Sequence, residues 1–319
     1  MTSKTTSLVL VLLLAAGAQA AEWKAARPDY GWSFPTDHWA RAGYRTEWWY
    51  FTGHLTTASA PQRRFGYQFT IFRVGLAVER PKLASAWSVT DLMMGHAAIT
   101  DLATGRHRFS ELLYRTVPFL GGFGRYPEPL IAWSRAPAGT DGTWTLRWNG
   151  EAFDVAMQDD RHGLAFALTT RPAKPLVFQG PNGFSRKGEG PNAASHYYSF
   201  TWLATEGSLT LDGTTFDVKG DSWMDKEFSS TRLAEHQAGW DWFSLQLDDG
   251  REIMLYLLRH KAGGVDFAQG TIVSQKGEAR YLARGDWTVR ATRTWTSPET
   301  GAAYPARWTV EIPDEGLRL

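Results

Sequence analysis

Two carboxylates stand two residues apart in Gly220-Asp221-Ser222-Trp223-Met224-Asp225-Lys226-Glu227-Phe228-Ser229-Ser230. A strand rises about 3.3 Å per residue, so Asp225 and Glu227 would share a face roughly 7 Å apart. Like charges at that spacing raise one another's affinity for a proton, and desolvation adds to the effect. Such a pair suits proton transfer, with one carboxyl donating while the other orients water. Trp223 has the same parity and would wall the pair with a ring. The structural alternative is a solvated acid pair at a strand end, with Lys226 nearby.

Glu47 and Asp241 head two segments that echo each other. The first is Glu47-Trp48-Trp49-Tyr50-Phe51-Thr52-Gly53-His54-Leu55, and the second is Gly239-Trp240-Asp241-Trp242-Phe243-Ser244-Leu245-Gln246-Leu247. Tyr50-Phe51-Thr52 aligns with Trp242-Phe243-Ser244. Each copy leads through a polar turn into a second apolar run that ends in an arginine, Arg73 or Arg259. Alternation sets Glu47, Trp49, Phe51 and Leu55 on one face, and Asp241, Phe243, Leu245 and Leu247 on one face of the second copy. Each acid therefore shares parity with apolar residues. Two readings follow: structurally, the strand end frays into solvent or the acid pairs with the arginine of its own hairpin; functionally, the acid sits desolvated in an apolar cavity, poised to donate a proton.

The elements that must position these groups are short strands. Turn signals recur as Thr104-Gly105, Asp141-Gly142, Asn149-Gly150, Asp212-Gly213 and Asp249-Gly250, with alternating runs such as Thr143-Trp144-Thr145-Leu146-Arg147-Trp148 between them. Many short strands joined by hairpin corners mean an all-β barrel or sandwich. The stretch Thr231 to Gln237 is the one place where a helical turn or two is expected. The Pro- and Gly-rich segment from Arg171 to Ala194 reads as a long irregular loop, a candidate lid. If each echo opens a domain, the chain divides into 21–230 and 231–319. The second is short for a closed eight-stranded barrel, so it is either an open half-barrel or incomplete.

Composition excludes several classes. Lys4, the apolar run Leu8 to Ala16 and Ala18-Gln19-Ala20 make residues 1–20 a secretory signal peptide, with cleavage after Ala20 and a secreted or periplasmic destination. No later stretch has the roughly 20 apolar residues of a membrane-spanning helix. The chain has no cysteine, which rules out disulfides, thiolate metal sites and cysteine nucleophiles. The 33 acidic residues balance the basic ones once Lys4 is removed, and without a basic tail nucleic acid is not an expected partner. The eight histidines are scattered, so no metal site is expected. Ser185 lacks the G-x-S-x-G context of a hydrolase nucleophile. Sixteen Trp, 17 Phe and 11 Tyr are heavy for a chain of this size. They fit an aromatic-rich β core, a ring-lined cavity for an apolar ligand, or both.

Several motifs occur in a fixed order: Glu47-Trp48-Trp49-Tyr50, Phe65-Gly66-Tyr67-Gln68, His96-Ala97-Ala98-Ile99-Thr100-Asp101, His196-Tyr197-Tyr198-Ser199, Trp223-Met224-Asp225-Lys226-Glu227 and Gly239 to Phe243. Together they resemble the carotenoid 1,2-hydratase (CrtC) and AttH-like family. The resemblance implies two lipocalin-like antiparallel β-barrel domains, the second short or truncated. It also implies hydration of a terminal C=C bond of an unsaturated isoprenoid, with no cofactor. In that chemistry a carboxylic acid protonates the alkene, a tertiary cation forms beside ring faces, and water captures it. Asp225 or Asp241 would be the acid and Glu227 would orient water. Glu47, Trp49, Tyr67, Trp223, Trp240 and Trp242 would contact the ligand. Where the hydratase pattern carries Asp-His-Glu-Trp, this chain reads Asp225-Lys226-Glu227-Phe228. The lysine replaces a group able to relay protons near neutral pH. A second function is therefore kept beside hydration: a non-enzymatic periplasmic carrier of a lipophilic small molecule, associated with a membrane export system.

Overall fold

The computed structural model describes residues 22–319 except 83, 191–192 and 231–232. The expected leader, 1–20, lies outside the described residues. Among the described residues thirteen strands precede residue 230: β1 (Thr46–Thr57), β2 (Arg64–Gly75), β3 (Asp91–Asp101), β4 (Arg106–Arg115), β5 (Gly121–Phe123), β6 (Leu130–Arg135), β7 (Thr143–Trp148), β8 (Phe153–Asp159), β9 (Leu164–Pro172), β10 (Val177–Phe178), β11 (Phe184–Arg186), β12 (Ala194–Leu211) and β13 (Thr214–Ser229). They form one antiparallel sheet in the order β4-β3-β2-β1-β13-β12-β9-β8-β7-β6-β5, with β10 and β11 added along β12.

This sheet curls into a near-closed, lipocalin-like barrel. Two contacts across it show the curl. Ser110 of β4 bonds Asp159 of β8 at 2.5 Å. Trp144 of β7 reaches Gly95 of β3, where any Cβ would meet its ring at 2.9 Å. Inside lie Trp49, Phe51, Leu55, Phe65, Tyr67, Phe69 and Ile71, all buried, each large apolar side chain contributing about 1.5–3 kcal/mol.

Seven strands follow among the described residues. β14 (Gln237–Gln246), β15 (Glu252–His260), β16 (Val265–Val273) and β17 (Ala279–Leu282) form a four-stranded open sheet in sequence order. β18 (Thr288–Thr296), β19 (Ala303–Ile312) and β20 (Leu317–Arg318) form a three-stranded one. The two share a small core of Ile253, Leu255, Leu257, Ile272, Leu282, Trp287, Val310 and Ile312. This second part is short and open.

The echoing segments are equivalent hairpins, β1–β2 and β14–β15, both antiparallel. The expected helical turns before the second hairpin are absent over the described residues 233–236, which form coil and a turn. Gln237 already pairs with His260 of β15, so strand pairing takes up these backbone groups. The segment from Arg171 to Ala194 is less irregular than its composition implies, because β10 and β11 tie it to β12.

Ser222 to Ser229 of β13 is buried at every position. One face of this strand looks into the barrel. The other lies under β14 and β15, where Tyr197, Trp223, Met254 and Tyr256 pack together with Trp242 and Phe267. That seam holds the acid pair.

Candidate functional site

Consecutive residues of β13 enter two separate charge systems. Asp225 and Glu227 lie on the outward face, level with Tyr50 and Trp48 of β1 and with Ser199 and Tyr197 of β12. Lys226 points the other way, into the barrel, opposite Trp49 and Tyr198.

Asp225 is buried beneath the second sheet. Its Oδ1 accepts hydrogen bonds from Ser199 Oγ at 2.5 Å and Trp223 Nε1 at 2.8 Å, and the Tyr197 hydroxyl also bonds the carboxyl. Gln179 Nε2 donates to Ser199 Oγ at 2.9 Å, which turns the serine proton toward Asp225. Burial pushes the Asp225 carboxyl up to about 7, against the opposing pull of Ser199, Trp223 and Tyr197 and with a contribution from the Glu227 charge. Near neutral pH a large fraction of it is therefore the carboxylic acid, with a proton to give.

Glu227 is handled differently. Lys187 Nζ lies 3.0 Å from its Oε1. The ammonium sits 4.2 Å from the ring centroid of Tyr256 and 5.2 Å from that of Tyr197, within cation–π range. Burial works against charge on Lys187, but Glu227 and Tyr256 hold its pKa above the ordinary lysine value. Two neighbouring carboxyls thus have distinct environments, one ring-walled and one ion-paired, which is the pattern of an acid and a water-orienting partner.

A cavity of about 640 Å³ opens on this pair, within the range for a small-molecule site. Trp48, Tyr50, Phe72, Tyr197, Trp242 and Tyr256 give it ring walls, with Gln68 and Thr70 among its polar groups. Trp242 Nε1 donates to the Tyr197 hydroxyl at 3.2 Å. Its ring meets Tyr50 edge to face, centroids 5.4 Å apart. A wider, shallower cleft of about 740 Å³ lies elsewhere, between Phe34, Trp39, Tyr126 and Trp148. It brings no second carboxyl to Glu151, so the smaller cavity is the one suited to proton transfer.

The other sequence-derived residues divide. Trp223 stands behind Asp225 as a donor, Trp242 is a wall, and Trp240 lies at the rim with 60% of its surface exposed. Tyr67 is in the barrel core, where its hydroxyl bonds Ser222 Oγ at 2.8 Å, because its parity on β2 is the inward one. Trp49 is equally interior, donating to His38 O at 2.7 Å. Asp241 stays partly exposed with Arg259 at 3.7 Å, the hairpin pairing that was one of its two readings. It is not among the cavity-lining residues.

Glu47 also pairs with the arginine of its hairpin. Its carboxylate binds Arg73 and Lys226 and accepts the Arg41 backbone N–H at 2.8 Å. Burial would raise its pKa, but Lys226 and Arg73 outweigh burial and hold the carboxyl below its ordinary range. Glu47 is an anion, not a proton donor. Lys226, which stands where the hydratase pattern has a proton-relaying group, itself titrates near neutral pH. Burial pulls it down to about 7 despite Glu47, helped by Arg41 and Arg73, and its Nζ sits 3.3 Å from the Trp49 ring centroid.

Sequence reasoning missed Tyr50, Tyr197, Ser199, Lys187, Tyr256 and Gln179. For Tyr197 and Ser199 a signal existed, since the two share parity with each other within His196-Tyr197-Tyr198-Ser199. Lys187 comes from a loop, where alternation says nothing about facing.

Residues 25–319 match the model of a family described as AttH-like. The crystal structure of an AttH-type protein from Nitrosomonas europaea is similar, with 29% identity over 91% of this chain and 84% of that one and a TM-score of 0.77. Kievitone hydratase from Nectria haematococca shares the fold at 14% identity, covering 92% of this chain and 81% of its own, with a TM-score of 0.62. No curated protein matches the chain.

Proposed function

The chain belongs to the AttH-like family, and on that premise we propose that it hydrates a C=C bond of a lipophilic, unsaturated, isoprenoid-like molecule. The observation that carries the reading is Asp225, a buried acid titrating at about 7, facing a ring-lined cavity beside ion-paired Glu227. Asp225 gives its proton to the less substituted alkene carbon, and the π pair forms the new C–H bond. The tertiary cation left behind lies against the faces of Tyr50 and Trp242, whose quadrupoles favour it. Water oriented by Glu227 forms the C–O bond and yields a proton to that carboxylate. The proton returns through cavity water to Asp225, so alkene plus water become one alcohol.

That a hydratase, kievitone hydratase, is built on this fold accords with the reading. A carotenoid-type substrate, division into lipocalin-like domains near residue 230, and export to the periplasm belong to the same proposal. A carrier for a lipophile, working beside an export system, is the second reading, favoured by the predominance of apolar lining over acids.

The test is incubation of the full chain in isotopically labelled water with a carotenoid and apolar lipid extract, beside Asp225→Asn. A product heavier by one labelled water, missing in the variant, supports hydration. Lipid that co-purifies unaltered, equally with both proteins, supports the carrier.

A further inference from the structure

The acid pair lies at one end of an in-register row of side chains. On the outward face of the large sheet, strand pairing aligns Glu227 with Trp48, Trp48 with Phe72, Phe72 with Met94, and Met94 with Leu113. The row therefore crosses β13, β1, β2, β3 and β4. Neighbouring strands lie about 4.8 Å apart, so it runs roughly 19 Å from Glu227. Beyond the acid every member is large and apolar. The adjacent rows are mixed: Asp225 leads to Tyr50, Thr70, His96 and Glu111, and Ser229 leads to Thr46, Val74, Leu92 and Arg115.

Exposure increases along the apolar row. Glu227 is buried, Trp48, Phe72 and Met94 are half-buried, and Leu113 is 64% exposed. The cavity follows the same line, since Glu227, Trp48, Phe72 and Met94 all line it. An outward sheet face is ordinarily polar where nothing covers it. Here one row stays apolar from the acids to the edge strand β4, continuous with a cavity that ends on it.

We propose that the row Trp48-Phe72-Met94-Leu113 is a track for the extended apolar tail of the ligand, whose reacting end lies at Asp225 and Glu227. The ligand class is then an elongated lipophile longer than the enclosed cavity, its far end lying on the sheet surface at Leu113. This deepens the hydration reading and rests on it for the identity of the reacting end. The track itself concerns binding and can be measured without turnover.

The experiment is equilibrium dialysis of geraniol, farnesol and geranylgeraniol, three isoprenoid alcohols of increasing length. The proteins are wild type, Leu113→Lys, Met94→Gln and Asp225→Asn. Burial of each added isoprenoid unit along the row should tighten wild-type binding roughly tenfold. Leu113→Lys should leave geraniol unchanged and remove most of the gain for geranylgeraniol, and Met94→Gln should reduce the gain at farnesol. Leu113 is exposed on an edge strand, so folding is not at stake there; Leu113→Ala gives a second, milder variant with the same direction.

Wild-type affinity that stops rising after geraniol would overturn the track, as would a rise left intact by both Leu113→Lys and Met94→Gln. Asp225→Asn should keep the length dependence. Length dependence without any hydration product would count against the hydration reading and leave the track standing.

Discussion

Tyr50 and Trp242 occupy equivalent positions in the two echoing hairpins and meet each other edge to face, centroids 5.4 Å apart. The repeat therefore brings its own matching positions together at the seam above Asp225. Trp242 also reaches Trp223, with centroids 6.3 Å apart, and its N–H anchors the Tyr197 hydroxyl. If the reaction passes through a cation, the ring face should matter more to turnover than to binding. A desolvated cation–π contact is worth about 2 kcal/mol. Trp242→Ala should accordingly lower kcat by roughly tenfold to thirtyfold. Trp242→Phe should recover most of it, because it keeps a face and loses only the N–H. Steady-state assays of labelled-water incorporation decide this, and equal losses in both variants would argue that the Tyr197 anchor is what matters.

Asp225 carries the proton, so Asp225→Asn should reduce hydration by roughly 10²–10⁴-fold. Asn fills the same space and can still accept from Ser199 and Trp223. Ligand affinity should change little, since an apolar molecule asks little of the carboxyl. Glu227→Gln should also cost turnover, with Lys187 then left beside a neutral group. Binding and rate measured on the same samples separate this pattern from a general collapse of the site.

Ser199 tunes the acid. Its hydroxyl donates to Asp225, lowering the carboxyl's proton affinity against the larger, opposite effect of burial. Gln179 holds that hydroxyl in its donor role. Ser199→Ala removes the donor and so raises the Asp225 pKa further. As the protonated form is the active one, the alkaline limb of the pH–rate profile should move to higher pH. The maximal rate should change by less than about tenfold, in keeping with loss of one hydrogen bond. An unmoved limb would mean that Asp225 is not the group whose ionisation the profile reports.

The large features were legible because period-two alternation is strong and local. The all-β class, the paired hairpins and the common face of Asp225 and Glu227 all follow from it. Alternation cannot tell which face of a strand looks into a barrel and which lies under a second sheet. The parity of β1 puts the ligand on the face of Trp49, whereas the barrel packs Trp49, Phe51 and Leu55 solid, and of that face Glu47 alone reaches the cavity, which lies behind Trp48 and Tyr50. Pairing β1 with β13 would have revealed this, since Asp225 stands opposite Tyr50 and Lys226 opposite Trp49. That partnership joins residues far apart in sequence. Lys187 and Gln179 were hidden for a different reason: they flank short strands within a Pro- and Gly-rich segment that carries no periodic signal.

Asp225 and Lys226 are both driven by burial to about 7, one from 3.8 and the other from 10.5. Their effects on stability have opposite signs with pH. From about pH 4 to 7 the unfolded chain has released the Asp225 proton while the folded chain keeps it, so stability falls as pH rises. From about pH 7 to 10 the unfolded chain keeps the Lys226 proton that the folded chain has lost, so stability rises. Each arm is worth on the order of a few kcal/mol. Together these two groups give a trough in thermal midpoint near neutrality. Asp225→Asn should remove the descending arm and gain its advantage over wild type progressively up to pH 7. Lys226→Met should remove the ascending arm, leaving its midpoint flat from pH 7 to 10 where that of wild type climbs. Midpoints measured from pH 4 to pH 10 test this directly. A curve for either variant that runs parallel to wild type would show that the corresponding group does not titrate in that window.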